Sequence, residues 1–261
     1  MTILTKILAQ KEIEVAAFKQ QLPTNIAEQK VRPSLFSTLY NSTHLQVIAE
    51  MKRASPSKGL IAEGANPVAQ AKAYEEAGAA CVSVLTDEQF FKGSFTDLKD
   101  VANAINIPLL CKDFVIDEVQ IDYAKAAGAS VVLLIVAALN DEQLDRLHRY
   151  ATSLSLDVLV ETHNVEELQR ALAIGAKIIG VNNRNLHDFS IDLAHTETIA
   201  KAFPFDEERV FISESGIWTS EDAARVAKVG ARAVLVGESL MKSDSVKSAI
   251  HALRVPLGVC L

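Results

Sequence analysis

Glu76-Ala-Gly78-Ala-Ala-Cys-Val-Ser-Val-Leu85 has three counterparts further along the chain: Ala126-Ala-Gly128-Ala-Ser-Val-Val-Leu-Leu134, Ala173-Ile-Gly175-Ala-Lys-Ile-Ile-Gly-Val181 and Lys228-Val-Gly230-Ala-Arg-Ala-Val-Leu-Val236. The copies recur roughly every fifty residues, the signature of a repeated supersecondary unit. In each, a helical stretch runs into glycine, then alanine, then a short apolar strand rich in β-branched residues. Glycine suits the position after a helix because a left-handed backbone carries no Cβ penalty there. The four copies therefore predict the even-numbered strands of an alternating structure.

Between them, residues 45–52, 108–112, 156–161 and 208–214 are apolar runs of strand length and take the odd-numbered places. Helical stretches fill the gaps, among them 66–77, 117–127, 141–153, 165–174 and 220–229, with Asn66-Pro67, Asn140-Asp141 and Thr219-Ser220 as caps or first turns. Strict β-α alternation with strands apolar on both faces calls for a parallel sheet covered by helices. A doubly wound open sheet fits the same alternation. Eight complete units and the absence of any GxGxxG turn favour a single α/β domain folded as a (β/α)8 TIM barrel. Residues 1–44 precede the repeat as an N-terminal helical extension, helical over 3–21 and again over 34–40. They are expected to cap a barrel spanning 45–255 within one domain of 1–261.

With 33 acidic against 26 basic residues the formal charge is -7, which argues against a nucleic-acid or anionic-membrane partner, since either needs a basic surface. Cys81, Cys111 and Cys260 read as reduced thiols, and no Cys or His grouping has metal-site spacing, so neither metal nor organic cofactor is expected. The longest apolar run, 131–139, is far short of the roughly 20 residues that span a bilayer. The first residues place Lys6 where a signal peptide would be apolar, so a cytoplasmic protein is expected. A monomer or weak oligomer is the expected state.

Polarity gathers at the carboxyl ends of the strands, where a barrel builds its active site. Glu50 and Lys52 follow Val47-Ile48-Ala49; Lys112, Glu161, Asn182 and Glu214 each end an apolar run, and Arg184 lies just beyond. The period of a strand puts Glu50 and Lys52 on one face and turns Cys111 away from the face of Lys112. Any one of these charges could simply end its strand in solvent. The set together points to a polar pocket, because mixed charges buried at one mouth must pair or meet a ligand. Two glycine turns, Glu214-Ser215-Gly216-Ile217 and Val236-Gly237-Glu238-Ser239-Leu240, follow the last two strands, the usual place of a barrel's phosphate site.

These residues resemble the indole-3-glycerol-phosphate synthase family. The resemblance is carried by Val47-Ile-Ala-Glu-Met-Lys-Arg-Ala-Ser-Pro-Ser-Lys-Gly59, Leu85-Thr-Asp-Glu-Gln-Phe-Phe-Lys-Gly-Ser94, Lys112-Asp-Phe114, Leu133-Leu-Ile135, Val181-Asn-Asn-Arg-Asn-Leu186, Ser213-Glu-Ser-Gly-Ile217 and Leu235-Val-Gly237. It covers essentially the whole chain. It implies ring closure of 1-(2-carboxyphenylamino)-1-deoxyribulose 5-phosphate to an indole, with loss of carbon dioxide and water.

By that resemblance Lys112 is the general acid at the ribulose carbonyl and Glu161 the general base of the later dehydration. Lys52 holds the substrate carboxylate and is a second candidate acid, the division between the two lysines being left open. Glu50 either orients the lysines or forms an ion pair with no chemical role, while Glu214 and Asn182 contact the sugar and Arg184 shapes the site. Ser215, Gly216, Gly237 and the backbone of Glu238 bind phosphate, with Ser55 of the first loop assisting. Phe91, Phe114, Leu133 and Leu186 line the slot for the aromatic ring. Many relatives carry serine in place of Glu238, whose side chain must turn outward to avoid repelling a phosphate. A phosphoribosylanthranilate isomerase, which uses cysteine and aspartate, and a non-catalytic phosphate binder are the rival readings. Neither accounts for Lys112 together with Glu161.

Overall fold

The structure, a computed structural model, describes residues 2–21, 23, 30–56, 59–61, 64–185 and 188–258. Leu186 and Cys260 lie outside the described residues.

The strands are β1 (Gln46–Met51), β2 (Ala54–Ser55), β3 (Gly59–Leu60), β4 (Cys81–Leu85), β5 (Leu109–Lys112), β6 (Val131–Ile135), β7 (Asp157–Thr162), β8 (Ile178–Asn182), β9 (Val210–Glu214) and β10 (Ala233–Val236). Eight of them form a closed barrel in the order β1-β10-β9-β8-β7-β6-β5-β4, and all of these pairings are parallel. Gln46 pairs with Ala233 and Val47 with Val234, and this seam between the first and last strands removes the open-sheet alternative. The two remaining strands, β2 and β3, make a small antiparallel hairpin in the loop after β1.

The repeated glycine closes each helix as its chemistry requires. Gly78, Gly128, Gly175 and Gly230 have φ of +85°, +95°, +76° and +101°. After each, the alanine N–H reaches back to the last helical turn: Ala79 to Tyr74, Ala129 to Ala124, Ala176 to Ala171 and Ala231 to Val226, all at 3.0–3.2 Å. This Schellman closure satisfies carbonyls that would otherwise be orphaned and aims the chain into the next strand.

Alternate strand residues separate two apolar layers. Ile48, Leu110, Leu133, Leu159, Ile178 and Ile212 fill the barrel, whereas Val47, Val82, Cys111, Val160, Ile179 and Val234 pack outward against the helices. Cys111 is thus an outward-facing core residue, its thiol pushed up to about 12 by burial.

The two helices of the extension serve opposite ends. Leu35–Tyr40 plugs the amino-terminal end with the fully buried Leu35 and Leu39, held by Asp157 Oδ2, which accepts from Leu35 N at 2.6 Å and from Ser34 Oγ at 3.0 Å. An acidic side chain at that helix start also complements the helix dipole. Ile3–Phe18 lies at the carboxyl end, where Ile3, Leu4 and Ile7 help to wall a cavity.

Candidate active site

The charged strand ends lie on the inward-facing register of their strands, so the barrel's curvature directs Glu50, Lys112, Glu161, Asn182 and Glu214 to one mouth. They line a single cavity with Lys52, Ser55, Phe91, Phe114, Leu133, Arg184, Ser215, Gly216, Gly237 and Glu238. The space between these walls, open solvent at the mouth included, is about 1290 Å³.

Lys112 Nζ lies 2.9 Å from Glu161 Oε2 and 3.2 Å from Glu214 Oε2. Burial alone would push this ammonium down, but Glu161, then Glu214 and Glu50, outweigh burial and hold it above the ordinary lysine value. For Glu161 burial favours the neutral acid, yet Lys112, then His163 and Asn182, hold it well below the usual carboxylate range. Glu214 goes the other way: burial and the negative charge of Glu161 push it up to about 7 despite Lys112. Two carboxylates facing one ammonium cannot both be fully compensated, and the less favoured one keeps its proton more readily.

Backbone choices make room for this cluster. A Cβ on Gly180 would stand 2.1 Å from Glu214 Oε1, and one on Gly237 would stand 2.9 Å from Glu50 Oε1. Gly180 therefore leaves space for a carboxylate inside the barrel.

Asn182 joins the cluster to the glycine turns. Its Nδ2 donates to Glu161 Oε1 at 3.0 Å, and its Oδ1 accepts from Ser215 Oγ at 2.9 Å and Arg184 N at 3.0 Å. Ser215 and Gly216 are both left-handed, at φ +66° and +83°. The carboxylate of Glu238 engages Lys242, one helical turn on, at 2.7 Å, so its charge is neutralised. Beside the Gly237 turn, at the end of β1, Lys52 Nζ lies 2.5 Å from Glu50 Oε1. The rings of Phe91 and Phe114, 6.0 Å apart and tilted by 34°, form an apolar wall.

The structure also brings in residues absent from the sequence-based site. His163 stands against Glu161, and the strand period that pairs Glu50 with Lys52 points to it, two positions beyond Glu161. Lys11, wholly buried in the first helix, lies 2.9 Å from Asp87 and 2.8 Å from Asp113. Its signal is a charge on the buried stripe Ile7, Lys11, Val15. Trp218, half exposed, adds to the rim. Among the described residues, no group of three or more His, Cys, Asp or Glu side chains is arranged to hold a metal ion.

This arrangement offers a protonated amine, an ionised carboxylate, a glycine turn and apolar side chains around one space. Residues 4–253 match the indole-3-glycerol phosphate synthase family. A protein of that name from Oceanobacillus iheyensis is 49% identical over 258 residues, covering 98% of both chains. One from Listeria monocytogenes is 52% identical over 256 residues, covering 98% of this chain and 99% of its own. Among solved structures, a 3-hexulose-6-phosphate synthase superposes with a TM-score of 0.61 at 18% identity, over 80% of this chain and 98% of its own. A thiamine phosphate pyrophosphorylase from Pyrococcus furiosus superposes at 0.58 with 16% identity, over 80% of this chain and 93% of its own. These two likenesses concern the fold alone.

Proposed function

The chain belongs to the indole-3-glycerol phosphate synthase family and is a carbon–carbon lyase of tryptophan biosynthesis, and we propose how its residues divide the reaction. The activity closes 1-(2-carboxyphenylamino)-1-deoxy-D-ribulose 5-phosphate to indole-3-glycerol phosphate, releasing carbon dioxide and water.

Lys112 protonates the ribulose carbonyl oxygen as the ring carbon bearing the carboxylate attacks the carbonyl carbon. Its positive charge also opposes the charge developing on that oxygen. Carbon dioxide leaves and its bonding electrons restore the aromatic ring. The new hydroxyl then departs as water, protonated by Lys52, or by Lys112 once solvent has returned the proton it gave, while Glu161 takes the proton from the adjacent carbon and the indole double bond forms. Two protons are given and one is taken, which balances the loss of a carboxylate anion as neutral carbon dioxide.

Lys52 holds the substrate carboxylate and Glu50 holds Lys52. Asn182 and Glu214 contact the sugar, and Arg184 shapes the turn beside them. Ser215, Gly216, Gly237 and the backbone of Glu238 take the phosphate, with Ser55 assisting. Phe91, Phe114 and Leu133 sandwich the aromatic ring, with Leu186 assigned to the same slot. The chemistry needs neither metal nor organic cofactor. One domain carries it, with 1–44 as extension and 45–255 as barrel. The net charge of -7 supports a protein without nucleic-acid or anionic-membrane partners, and we propose that it works in the cytoplasm as a monomer or weak oligomer.

The observation that carries this division is the 2.9 Å contact of Lys112 with Glu161 on the wall of one cavity, beside the two glycine turns. The test adds the carboxyphenylamino substrate to chelator-treated protein and follows indole fluorescence. Fluorescence should rise with turnover. No rise would reduce the protein to a phosphate binder.

A further inference from the structure

His163 follows β7 and lies between two carboxylates. Its Nδ1 is 3.0 Å from Glu167 Oε2, and its Nε2 is 3.4 Å from Glu161 Oε1. Glu167 is itself fixed: it accepts from the His163 backbone N–H at 2.8 Å and from Asn164 Nδ2 at 3.1 Å. The imidazole is largely buried, with 13% of its surface exposed.

A neutral imidazole has one N–H and one bare lone pair. With an anionic oxygen facing each nitrogen, the neutral ring would set that lone pair against a carboxylate. Only the imidazolium sets positive charge against both, hydrogen-bonded to Glu167 through Nδ1 and in ion-pair contact with Glu161 through Nε2, which has no aligned hydrogen-bond partner among the described residues. Resting on the catalytic division above, we infer that His163, clamped by Glu167, is a positioning residue that supplies a permanent cation behind Glu161 and keeps the base ionised while Lys112 is discharged.

The need arises from the chemistry. Lys112 is the nearest cation to Glu161, and it becomes neutral when it gives its proton to the substrate. A buried carboxylate without a cation takes up a proton and can no longer act as a base. The other groups facing Glu161 are Asn182, which is uncharged, and Glu214, which is bound to the same ammonium and is itself acidic. Of the described residues that surround Glu161, His163 alone stays positive through that step. Burial would lower its affinity for a proton, but Glu161 and Glu167 raise it to about 10, which favours the charged ring. No proton leaves the imidazolium. The proton that Glu161 takes from substrate passes to the neutral amine of Lys112, 2.9 Å away.

The test is the pH profile of kcat for wild type, His163→Gln, His163→Lys and Glu167→Gln, with thermal stability measured alongside. In His163→Gln the acidic limb should move up by about one to two pH units, the range expected on losing an adjacent opposite charge, with KM near the wild-type value. His163→Lys should restore the limb toward wild type. Glu167→Gln, which removes one of the two anions holding the ring charged, should shift it by less and in the same direction. A limb that stays in place in folded His163→Gln overturns the inference, as does an equal displacement in the Gln and Lys variants. If His163→Gln fails to fold, Glu167→Gln decides by the same criterion. An inactive wild type would instead remove the catalytic division itself.

Discussion

Two lysines lie deep in this molecule among acidic side chains, and they differ in what surrounds them. Lys11 is fully buried and meets Glu14, Asp87 and Asp113 at 2.7, 2.9 and 2.8 Å. Those acids are held in turn: Asp113 accepts from Thr86 Oγ1 at 2.6 Å and Phe114 N at 2.7 Å, and Asp87 accepts from Phe90 N at 2.7 Å. Lys112 meets two acids and borders the cavity, and each cluster has one carboxylate oxygen, Asp87 Oδ2 beside Lys11 and Glu214 Oε1 beside Lys112, without a hydrogen-bond partner among the described residues. Three carboxylates surround the ammonium of Lys11, which does not line the cavity, so no substrate oxygen reaches its hydrogens. Lys112 sits where a substrate oxygen can compete for its hydrogens. A buried ammonium shut in by carboxylates is a fastener, and one open to a cavity is equipped for chemistry.

The sharpest way to break this contrast is to remove the charges from the second cluster. Lys112→Ala and Glu161→Gln should each lower kcat by about 100-fold or more, the scale of a lost acid or base, with KM changing far less. Steady-state kinetics on folded variants decide it, and unchanged turnover would take that residue out of the mechanism.

The opposite result is expected at the other lysine. Lys11→Met strands Asp87 and Asp113 without a buried cation and should cost about 3–5 kcal/mol in urea unfolding, while kcat of the folded fraction falls less than tenfold. KM should rise several-fold, because the loops that Lys11 ties down carry Phe91 and Phe114. A stable but inactive variant would place Lys11 in the chemistry and erase the distinction.

The smallest effect is a matter of pH. Glu214 titrates near 7 in the folded chain, above the ordinary carboxylate value of 4.5. Between those values the folded state binds the extra proton, so this group's contribution to stability falls as pH rises from about 4.5 to about 7 and stays low above that. Glu214→Gln should flatten this slope and gain on wild type by about 1–2 kcal/mol on going from pH 5 to pH 8, since a tenfold difference in proton affinity between the folded and unfolded chain is worth about 1.4 kcal/mol. Parallel pH–stability curves for the two proteins would show that Lys112 already compensates Glu214 in full.

Most of the site was legible because strand alternation is a local property. Once Val47-Ile48-Ala49 is taken as a strand, Glu50 and Lys52 must share a face, and the same rule sets Lys112 apart from Cys111. His163 obeys that rule too, but it stands one residue past the end of β7, where alternation no longer guarantees a direction. Lys11 was hidden for a different reason. A lysine on a helix normally reaches solvent, and only the fold sets Asp87 and Asp113 over it. The end of the barrel that each helix of the extension covers was equally invisible, since Leu35 and Leu39 are apolar wherever they are buried.

The helices, strands and glycine caps, and which side chains point inward, follow from the order of residues alone, because backbone periodicity and the left-handed turn act within a few positions. Closure of the barrel and the choice of partners do not. Gln46 meets Ala233, and Lys112 meets Glu161 and Glu214, across 49 and 102 residues in the latter two cases, only when the sheet curls on itself. Electrostatic coupling acts through space over a few ångströms, so the charge state of each group was set by the folded barrel and could not be read from its neighbours in the chain.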